Sequence, residues 1–384
     1  MKICFLTTIS GTLKAFVLPQ LKYYRQVHPE WELTVACSED NGFEALLPEG
    51  VRYIPVKMGR GIDLGAFKTI NNLKKLFKKE KFDMIVYATP NAAFYSSIAG
   101  KSVGVKKRIY NQWGIRYVGF SGFRRKIFKA IEKITCKNST DINAVSHKNR
   151  EFAISEGLYQ PEKAKVVGNG GTVGVDLTVF DISKYDEYRN EKRAELGVTE
   201  ELVFGFVGRL SRDKGTNELL TAFKKISGEN KNVKLVCVGR NELKAGVISP
   251  EIEEWLKNTD KVVMTGLKPK EDVKKYYAAF DLYVHPTYRE GFGLVLQEAG
   301  AMSCPVITTD IPGASEVLKE GVSCFLCKPR DAESLYETMK SVCEDKEKCR
   351  EFGLNARKCV EEKYERSIML GYQLKRFEEL LGVE

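Results

Sequence analysis

The sequence lacks the motifs that mark several common classes of enzyme. It contains no Asp-x-Asp pair, which would suit a divalent ion, and no Gly-x4-Gly-Lys-Ser/Thr loop, which excludes P-loop NTPases. Its three histidines are far apart, so we predict structural or surface roles for His28, His147 and His285 and no zinc site. These absences predict a protein that works without a bound metal.

Disulfide spacing and membrane-length apolar runs are missing as well. The ten cysteines are scattered, and the single Cys-x-x-Cys pair, Cys324 and Cys327, lies inside an apolar run. The longest uncharged stretch, Met84–Gly100, contains Pro90 and Asn91 and is too short and too polar to cross a bilayer. The opening MKICFLTT predicts a buried strand rather than a signal peptide. We therefore expect a cytoplasmic protein without its own membrane anchor.

The positive charge is concentrated in the first half of the chain. The net charge is +10, and residues 1–176 hold 28 Lys and Arg against 15 Asp and Glu, so the remainder is slightly negative. Such asymmetry favours an anionic partner that meets only the first half.

Short β-branched or aromatic runs alternate with longer amphipathic segments. The runs are KICFLTT, LTVAC, VRYIPV, MIVYA, KRIYNQ and INAVS, then VFGFVG, VKLVCVG, VVMTG, LYVHP, PVITT and CFLC. Helical patterns lie between them, as at Leu64–Lys79 and Glu271–Ala279. The alternation predicts an α/β fold whose parallel sheets are covered by helices on both faces. It breaks between residues 167 and 199, which predicts a domain boundary there.

The first candidate site runs from Gly208 to Gly215. It follows strand VFGFV, precedes the helical pattern NELLTAFKKI, and holds Arg209 and Lys214 between its glycines. Two cations at the carboxyl end of a parallel strand, beside a helix N-terminus, suit an anion such as a diphosphate. The alternative is that both side chains are merely solvated.

The second candidate site runs from Glu290 to Glu298, after strand LYVHP. Gly291 and Gly293 are expected to leave backbone N–H groups open at a helix start. Glu298 is expected two turns along that helix, on the same face as Glu290, where it could accept from two vicinal hydroxyls of a ribose. The alternative is that Glu290 caps the helix and Glu298 lies on the surface.

A third strand-to-helix turn is predicted at Thr308–Glu316. Consecutive parallel strands end along one sheet edge, so the three loops are expected to face one crevice. A dinucleotide-binding dehydrogenase is the competing interpretation, suggested by GNGGTVGVD. There the third glycine of Gly-x-Gly-x-x-Gly is replaced by Val173, and the segment lies in mid-chain, which argues against it.

In combination, these motifs resemble those of the retaining glycosyltransferase family 4, which has the GT-B architecture. The shared pattern is Gly-Arg-x3-Asp-Lys-Gly, Glu-Gly-Phe-Gly-Leu-x3-Glu and the Pro-Val-Ile-Thr-Thr turn. The resemblance implies two Rossmann-like domains facing a cleft, 1–176 on the acceptor side and 177–364 on the nucleotide-sugar side. It also implies that a C-terminal helix, 365–384, packs back on the first domain.

The same resemblance implies roles for single residues. Arg209 and Lys214 would clamp the donor diphosphate, Glu290 would contact the transferred sugar, and these three form the catalytic set. Glu298 would bind the ribose, and the Gly239-Arg240 and Thr265-Gly266 pairs would flank the nucleobase. The full donor-binding set is Gly11, Gly208, Arg240, Gly266, Gly291, Phe292, Gly293, Leu294 and Glu298.

The first half matches that family more loosely. Where the family often has a glycine-rich loop this chain has Ser10-Gly11-Thr12, and where the family often has a histidine it has the segment Asn111–Tyr117. The Gly-x-Arg in that segment resembles a subgroup acting in bacterial capsule, exopolysaccharide or lipopolysaccharide assembly. The predicted acceptor-binding set is Trp113, Arg116, Arg124 and Arg125.

A basic amphipathic helix is predicted within Lys101–Lys137. This segment holds eleven Lys or Arg and a single acidic residue, Glu132. Its apolar positions recur at helical spacing and are Phe123, Ile127, Phe128, Ile131 and Ile134. Either this stripe packs on the sheet while the cations face water, or the helix meets lipid headgroups or a lipid diphosphate.

The sequence thus predicts a retaining glycosyltransferase with no metal or other cofactor and no nucleic-acid partner. The donor is a nucleotide sugar, UDP-linked on family frequency, and the acceptor a polyprenyl diphosphate-linked or other glycan at the cytoplasmic face of the inner membrane. Two alternatives remain open. One is transfer to a soluble acceptor, as in a disaccharide synthase or phosphorylase-like enzyme, and the other is a non-catalytic protein that binds carbohydrate or lipid headgroups.

Overall fold

The computed structural model describes residues 1–59, 65–244 and 246–383. Within them the chain divides into two compact units, residues 1–173 with 367–384 and residues 174–366. The sequence placed the corresponding boundaries at 176/177 and 364/365. The start of the predicted helix Leu64–Lys79 lies outside the described residues.

Unit 1 is built on a seven-stranded parallel sheet. Its strands are β1 (Lys2–Leu6), β2 (Glu32–Cys37), β3 (Arg52–Pro55), β4 (Met84–Tyr87), β5 (Lys107–Gln112), β6 (Asp141–Ala144) and β7 (Ala164–Val166). Their order is β3-β2-β1-β4-β5-β6-β7. The six strands expected from apolar runs all form. The three-residue β7 was missed because it contains a single fully buried residue, Ala164, and therefore shows no apolar run.

Helices cover both faces of this sheet and enclose two apolar cores. They are α1 (Ser10–Phe16), α2 (Leu18–Val27), α3 (Ala66–Glu80), α4 (Pro90–Ser102), α5 (Gly122–Asn138) and α6 (His147–Ser155). One core contains Leu73, Phe77 and Tyr110, and the other contains Leu13, Tyr24 and Trp31. Near-continuous burial of the strands follows from this double coverage.

Unit 2 has a six-stranded parallel sheet of its own. Its strands are β8 (Leu202–Val207), β9 (Val233–Val238), β10 (Val262–Gly266), β11 (Leu282–His285), β12 (Val306–Thr309) and β13 (Phe325–Cys327), in the order β10-β9-β8-β11-β12-β13. Its helices are α7 (Tyr185–Glu195), α8 (Thr216–Glu229), α9 (Pro250–Asn258), α10 (Lys270–Ala279), α11 (Leu294–Ala301), α12 (Ala332–Glu344) and α13 (Lys346–Lys363). The predicted α/β class with two Rossmann-like parallel sheets is confirmed.

The last helix, α14 (Arg366–Leu381), completes a core of unit 1. The ring of Phe377 is fully buried and lies 5.9 Å from the Phe5 ring and 5.8 Å from the Tyr24 ring. The preceding residue, Arg376, is also buried, and its guanidinium donates to Asp141 at the start of β6. Apolar contact and a charge-assisted hydrogen bond therefore hold α14 to this sheet.

Helix α5 forms where the basic amphipathic helix was predicted, but only part of its apolar stripe packs inward, with Phe128 against a core of the unit. The buried residues of α5 are Glu132, Thr135 and Cys136, whereas Phe123 is 76% exposed and Ile134 is 41% exposed. Of the two alternatives, packing of the stripe therefore holds for Phe128 but not for Phe123 or Ile134. The helix is oriented instead by a buried polar network.

That network centres on the carboxylate of Glu132. One carboxylate oxygen, Oε1, accepts from Gln112 Nε2 at 2.7 Å and from the Tyr110 hydroxyl at 3.0 Å. The Tyr159 hydroxyl in turn donates to Gln112 Oε1 at 2.9 Å. Burial raises the pKa of Glu132, and the two donated hydrogen bonds oppose that rise only in part.

Glu132→Gln should become more stabilising, relative to wild type, as the pH increases. A carboxyl whose pKa is raised by folding stabilises the native state below its unfolded pKa and loses that contribution as the pH rises through the folded pKa. Glutamine does not titrate. The difference in unfolding free energy, variant minus wild type, should therefore rise as the pH increases above the ordinary carboxyl pKa of about 4.5, by about 1.4 kcal/mol per unit of pKa elevation.

Urea denaturation at a series of pH values measures this difference. Glu151→Gln changes an exposed carboxyl of α6 in the same unit and serves as the matched control, with a flat difference. A difference for Glu132→Gln that stays flat or falls with pH would contradict the assignment.

Candidate active site

The candidate site of unit 2 lies where the strands of its sheet end. The loops after β8, β11 and β12 meet backbone to backbone, and glycine permits this contact at two positions. A Cβ at Gly215 would lie 1.9 Å from the Pro286 carbonyl oxygen, and one at Gly313 would lie 2.2 Å from the Gly291 oxygen. No side chain fits at either place, so only glycine allows the three predicted loops to approach one another this closely.

Glu290 and Lys214 form a largely buried ion pair at the centre of these loops. Lys214 Nζ lies 2.7 Å from Glu290 Oε2, and each side chain is 18% exposed. The other carboxylate oxygen accepts from the Gly291 N–H at 3.1 Å. Burial alone would raise the pKa of Glu290, but the Lys214 ammonium and a hydrogen bond from His285 hold it well below its usual value. Glu290 is therefore an ionised, fixed carboxylate.

His285 is the third member of this cluster, and its position favours the structural role over the surface role among the two that the sequence left open. It is 1% exposed and ends β11, and its Nε2 lies 3.2 Å from Glu290 Oε2. Its Nδ1 lies 3.1 Å from the Tyr283 hydroxyl. Burial, together with the Lys214 charge, lowers the pKa of His285 despite the opposing effect of Glu290. A surface role for His285 is excluded. Its contact with Glu290 could have been predicted from the spacing, because the histidine precedes Glu290 by one short turn.

Arg209 is also paired with carboxylates rather than exposed as a bare cation. Its guanidinium lies 2.9 Å from Glu242 and 3.4 Å from Asp213, and Asp213 also contacts Arg289 at 3.0 Å. Glu242 follows β9 and Asp213 follows β8, so the pairing links two loops of the site. Glu242 and Arg289 could not be singled out from the sequence, because their partners come from other loops.

Glu298 lies inside the structure, and the alternative that it is a surface residue is wrong. It is 7% exposed, with the Tyr277 hydroxyl at 3.5 Å and Lys270 Nζ at 3.9 Å, both long contacts. Burial raises the pKa of Glu298 while Lys270 and Tyr277 act weakly in the opposite direction. Its carboxylate thus retains capacity to accept further hydrogen bonds.

Two geometric expectations around these glutamates also need correction. Helix α11 begins at Leu294, after the left-handed Gly293, so Glu290 lies in the loop and does not share a helix face with Glu298. Residues 311–316 form successive turns rather than the predicted helix start. The turns follow from Pro312, which lacks an N–H, and from Gly313, whose φ is +82°.

The remaining predicted donor residues lie on the same sheet edge. Backbone hydrogen bonds join the ends of β8, β9 and β10, from Gly208 to Val238 and from Gly239 to Gly266, each at 2.9 Å. Arg240 is exposed beside them. The Phe292 side chain is buried against the Tyr364 ring at 5.5 Å, so only its backbone could meet a ligand.

The predicted residues of unit 1 gather near the ends of its strands. Gly11 is the second residue of α1, and the Trp113 ring lies 5.0 Å from the Phe16 ring. The Arg116 guanidinium lies 4.8 Å from the centre of the Phe128 ring. Arg125 pairs with Glu156 at 3.0 Å, whereas Arg124 is exposed. Arg116 and Arg125 are thus positioned by contacts within the unit.

Neither a metal cluster nor a membrane-spanning helix is found in the described part of the chain. No three His, Cys, Asp or Glu side chains there are grouped so that they could hold a metal ion. Among those same residues, every helix is too short or too polar to cross a bilayer.

Each of the two units is matched by its own family model. Residues 2–146 match the family model described as glycosyl transferase 4-like, and residues 188–359 match glycosyl transferases group 1. The capsular polysaccharide biosynthesis glycosyltransferase CapM of Staphylococcus aureus is 29% identical over 96% of this chain and 94% of its own length. An Escherichia coli UDP-Gal:α-D-GlcNAc-diphosphoundecaprenol α-1,3-galactosyltransferase is 26% identical over 83% and 81%.

A solved structure supports the fold over the whole length. Alr3699/HepE of Anabaena, crystallised with UDP and glucose, superposes with a TM-score of 0.78 at 21% identity, covering 98% of this chain and 99% of that one. With both halves matched by models of one enzyme class, the chain belongs to the group 1 and 4-like glycosyltransferases of GT-B architecture.

Proposed function

We propose that this glycosyltransferase moves a sugar from a UDP-sugar, with retention of configuration, to a hydroxyl of a lipid-linked glycan in bacterial surface polysaccharide synthesis. The observation that carries the proposal is the buried Lys214–Glu290 pair beside Arg209, on loops that converge at one sheet edge. It offers cations for a leaving diphosphate and one fixed carboxylate for the sugar.

The cations account for the leaving group. A departing diphosphate gains negative charge, and preorganised donors in a partly buried site stabilise that charge more than water does. Lys214 supplies a compact ammonium and Arg209 a planar guanidinium that can bind two phosphate oxygens. A metal ion is then not required to neutralise the donor.

The state of the carboxylates supports retention without a covalent glycosyl-enzyme. Double displacement requires one carboxylate as nucleophile and a second group as acid and base. Glu290 is held by Lys214, His285 and the Gly291 N–H, and its low pKa makes it a poor proton donor. Attack on the donor's leaving-group face, with a phosphate oxygen taking the acceptor proton, suits this arrangement better.

The donor is proposed to be UDP-linked, with its ribose on Glu298. That buried carboxylate has only two long contacts, so two vicinal hydroxyls would supply the donors it lacks. The Escherichia coli relative is named for UDP-Gal, and the Anabaena structure was crystallised with UDP.

The acceptor is proposed to be lipid-linked and met at the cytoplasmic face of the membrane by α5. Phe123 is 76% exposed there, and Arg124, Lys126 and Lys133 are exposed around it. An exposed aromatic side chain among cations suits the interface of an anionic leaflet. The Escherichia coli relative carries diphosphoundecaprenol in its name.

A donor panel tests the reaction directly. With UDP-glucose, UDP-galactose, UDP-GlcNAc, GDP-mannose and ADP-glucose, we expect UDP-sugars to be turned over, and activity to survive EDTA. NMR of the product should show the α-configuration of the donor. A β-linked product would refute retention, complete loss in EDTA restored by Mg²⁺ would refute the metal-free clamp, and no turnover at all would favour a binding protein.

Glu242→Gln should lower the donor KM by about 2- to 5-fold. Glu242 occupies the Arg209 guanidinium before the diphosphate arrives, and an exposed pair of this kind is worth up to about 1 kcal/mol. Arg209→Ala should instead lower kcat by about 10²-fold. Initial rates against donor concentration measure both, and Glu253→Gln, an exposed carboxylate of α9, is the matched control. A raised KM in Glu242→Gln would contradict competition for Arg209.

The membrane proposal predicts cosedimentation with anionic but not neutral liposomes at low salt. Each exposed cation near the surface contributes about 1 kcal/mol, so Arg124→Gln, Lys126→Gln and Lys133→Gln together should abolish binding. The control changes three exposed lysines of unit 2, Lys257, Lys346 and Lys358, to glutamine and removes the same charge. Equal loss in both triple variants, or no binding by wild type, would point to a soluble acceptor.

A further inference from the structure

His285 occupies a position with almost no freedom to move. Its backbone ends β11, paired with Thr308 of β12, and the Thr308 hydroxyl donates to the His285 carbonyl at 3.1 Å. The imidazole ring packs near two aromatic rings, with ring-centre distances of 6.3 Å to Phe206 and 5.8 Å to Tyr283. A ring held in this way can fix the direction of whatever it hydrogen-bonds.

The protons in the cluster allow one neutral arrangement. His285 Nε2 faces a carboxylate, which only accepts, so Nε2 carries the proton and donates to Glu290 Oε2. Nδ1 is then an acceptor, and it lies 3.1 Å from the Tyr283 hydroxyl, whose single proton it shares with the Val207 carbonyl at 3.2 Å. The ring tautomer is thus set by the Glu290 carboxylate, which can only accept.

Under the proposed function, Lys214 has a second partner besides Glu290. Its ammonium is predicted to serve the leaving diphosphate, and its flexible four-carbon stem allows it to turn away from the carboxylate. The Gly291 N–H binds the opposite oxygen, Oε1. When Lys214 turns to the phosphate, the partner left on Oε2 is His285.

We propose that His285 is a positioning residue, which holds the Glu290 carboxylate toward the transferred sugar while Lys214 moves to the diphosphate. The inference rests on the proposed function, since it assigns Glu290 to the sugar. A carboxylate has about four lone-pair positions, and His285 and the Gly291 N–H use two of them once Lys214 has moved, so about two remain for sugar hydroxyls. His285 itself touches neither the donor nor the acceptor.

The test separates binding of the nucleotide from alignment of the sugar. In His285→Phe we expect kcat with the best UDP-sugar to fall by about 10- to 100-fold, while the Kd of UDP stays within about 2-fold, because UDP has no sugar for Glu290 to contact. Steady-state kinetics and calorimetric titration with UDP give the two quantities. His147→Gln, at the exposed start of α6, should match wild type in both.

The decisive comparison is between the variants His285→Gln and His285→Asn. The amide nitrogen of His285→Gln can reach the place of the imidazole Nε2 and should restore about 10-fold or more of the lost kcat. His285→Asn is too short to reach Glu290 and should resemble His285→Phe. This comparison also stands in if the phenylalanine variant fails to fold, which thermal melting would show.

The possible results are distinguishable. Wild-type kcat in His285→Phe or His285→Asn would overturn the inference, as would equal impairment of the Gln and Asn variants or a UDP affinity lost in parallel with kcat. A wild-type enzyme that turns over no nucleotide sugar would instead overturn the proposed function.

Discussion

The buried pair of Lys214 and Glu290 is the interaction on which the site of unit 2 depends. Removing one member of such a pair leaves an uncompensated charge in a low-dielectric setting, which commonly costs about 3–5 kcal/mol. The pair is tolerable because Glu290 accepts three hydrogen bonds, one of them from the buried His285. The two residues come from different loops, so the pair also joins the segment after β8 to the segment after β11.

That joining requires the loops to approach more closely than side chains allow. At Gly215 and Gly313 an added Cβ would meet a carbonyl oxygen at about 2 Å, and both residues have positive φ. Glycine therefore has two functions in these motifs, since it permits the turn and it removes the atoms that would separate the loops. Close contact between the loop backbones brings Glu290, Lys214 and His285 together, and the ion pair between Lys214 and Glu290 then adds to that contact.

The sequence predicted the strands and the three loops because these depend on local patterns. Apolar runs of four to seven residues mark strands covered on both faces, as at Leu202–Val207. Partners could not be predicted, since His285 and Glu242 owe their roles to residues brought near by the sheet. The face of α5 that is buried could not be predicted for a related reason. Its amphipathic pattern gave the apolar stripe, but the Glu132 network, which involves β5, decides which face is buried.

Both cations assigned to the diphosphate are already neutralised by the chain's own carboxylates, which changes how donor binding should be understood. A vacant cationic pocket would bind any phosphate tightly, whereas here each new phosphate contact must replace an existing ion pair, so the net gain is small. Under the proposed function, discrimination between donors would then depend on groups that have weak partners in the described structure, above all Glu298 with its two long contacts. The exchange has a second consequence for Glu290. Under the proposed function, the departure of Lys214 would leave the Glu290 carboxylate unscreened beside a sugar that becomes positive in the transition state. An interaction that strengthens as this charge develops would raise kcat rather than lower KM.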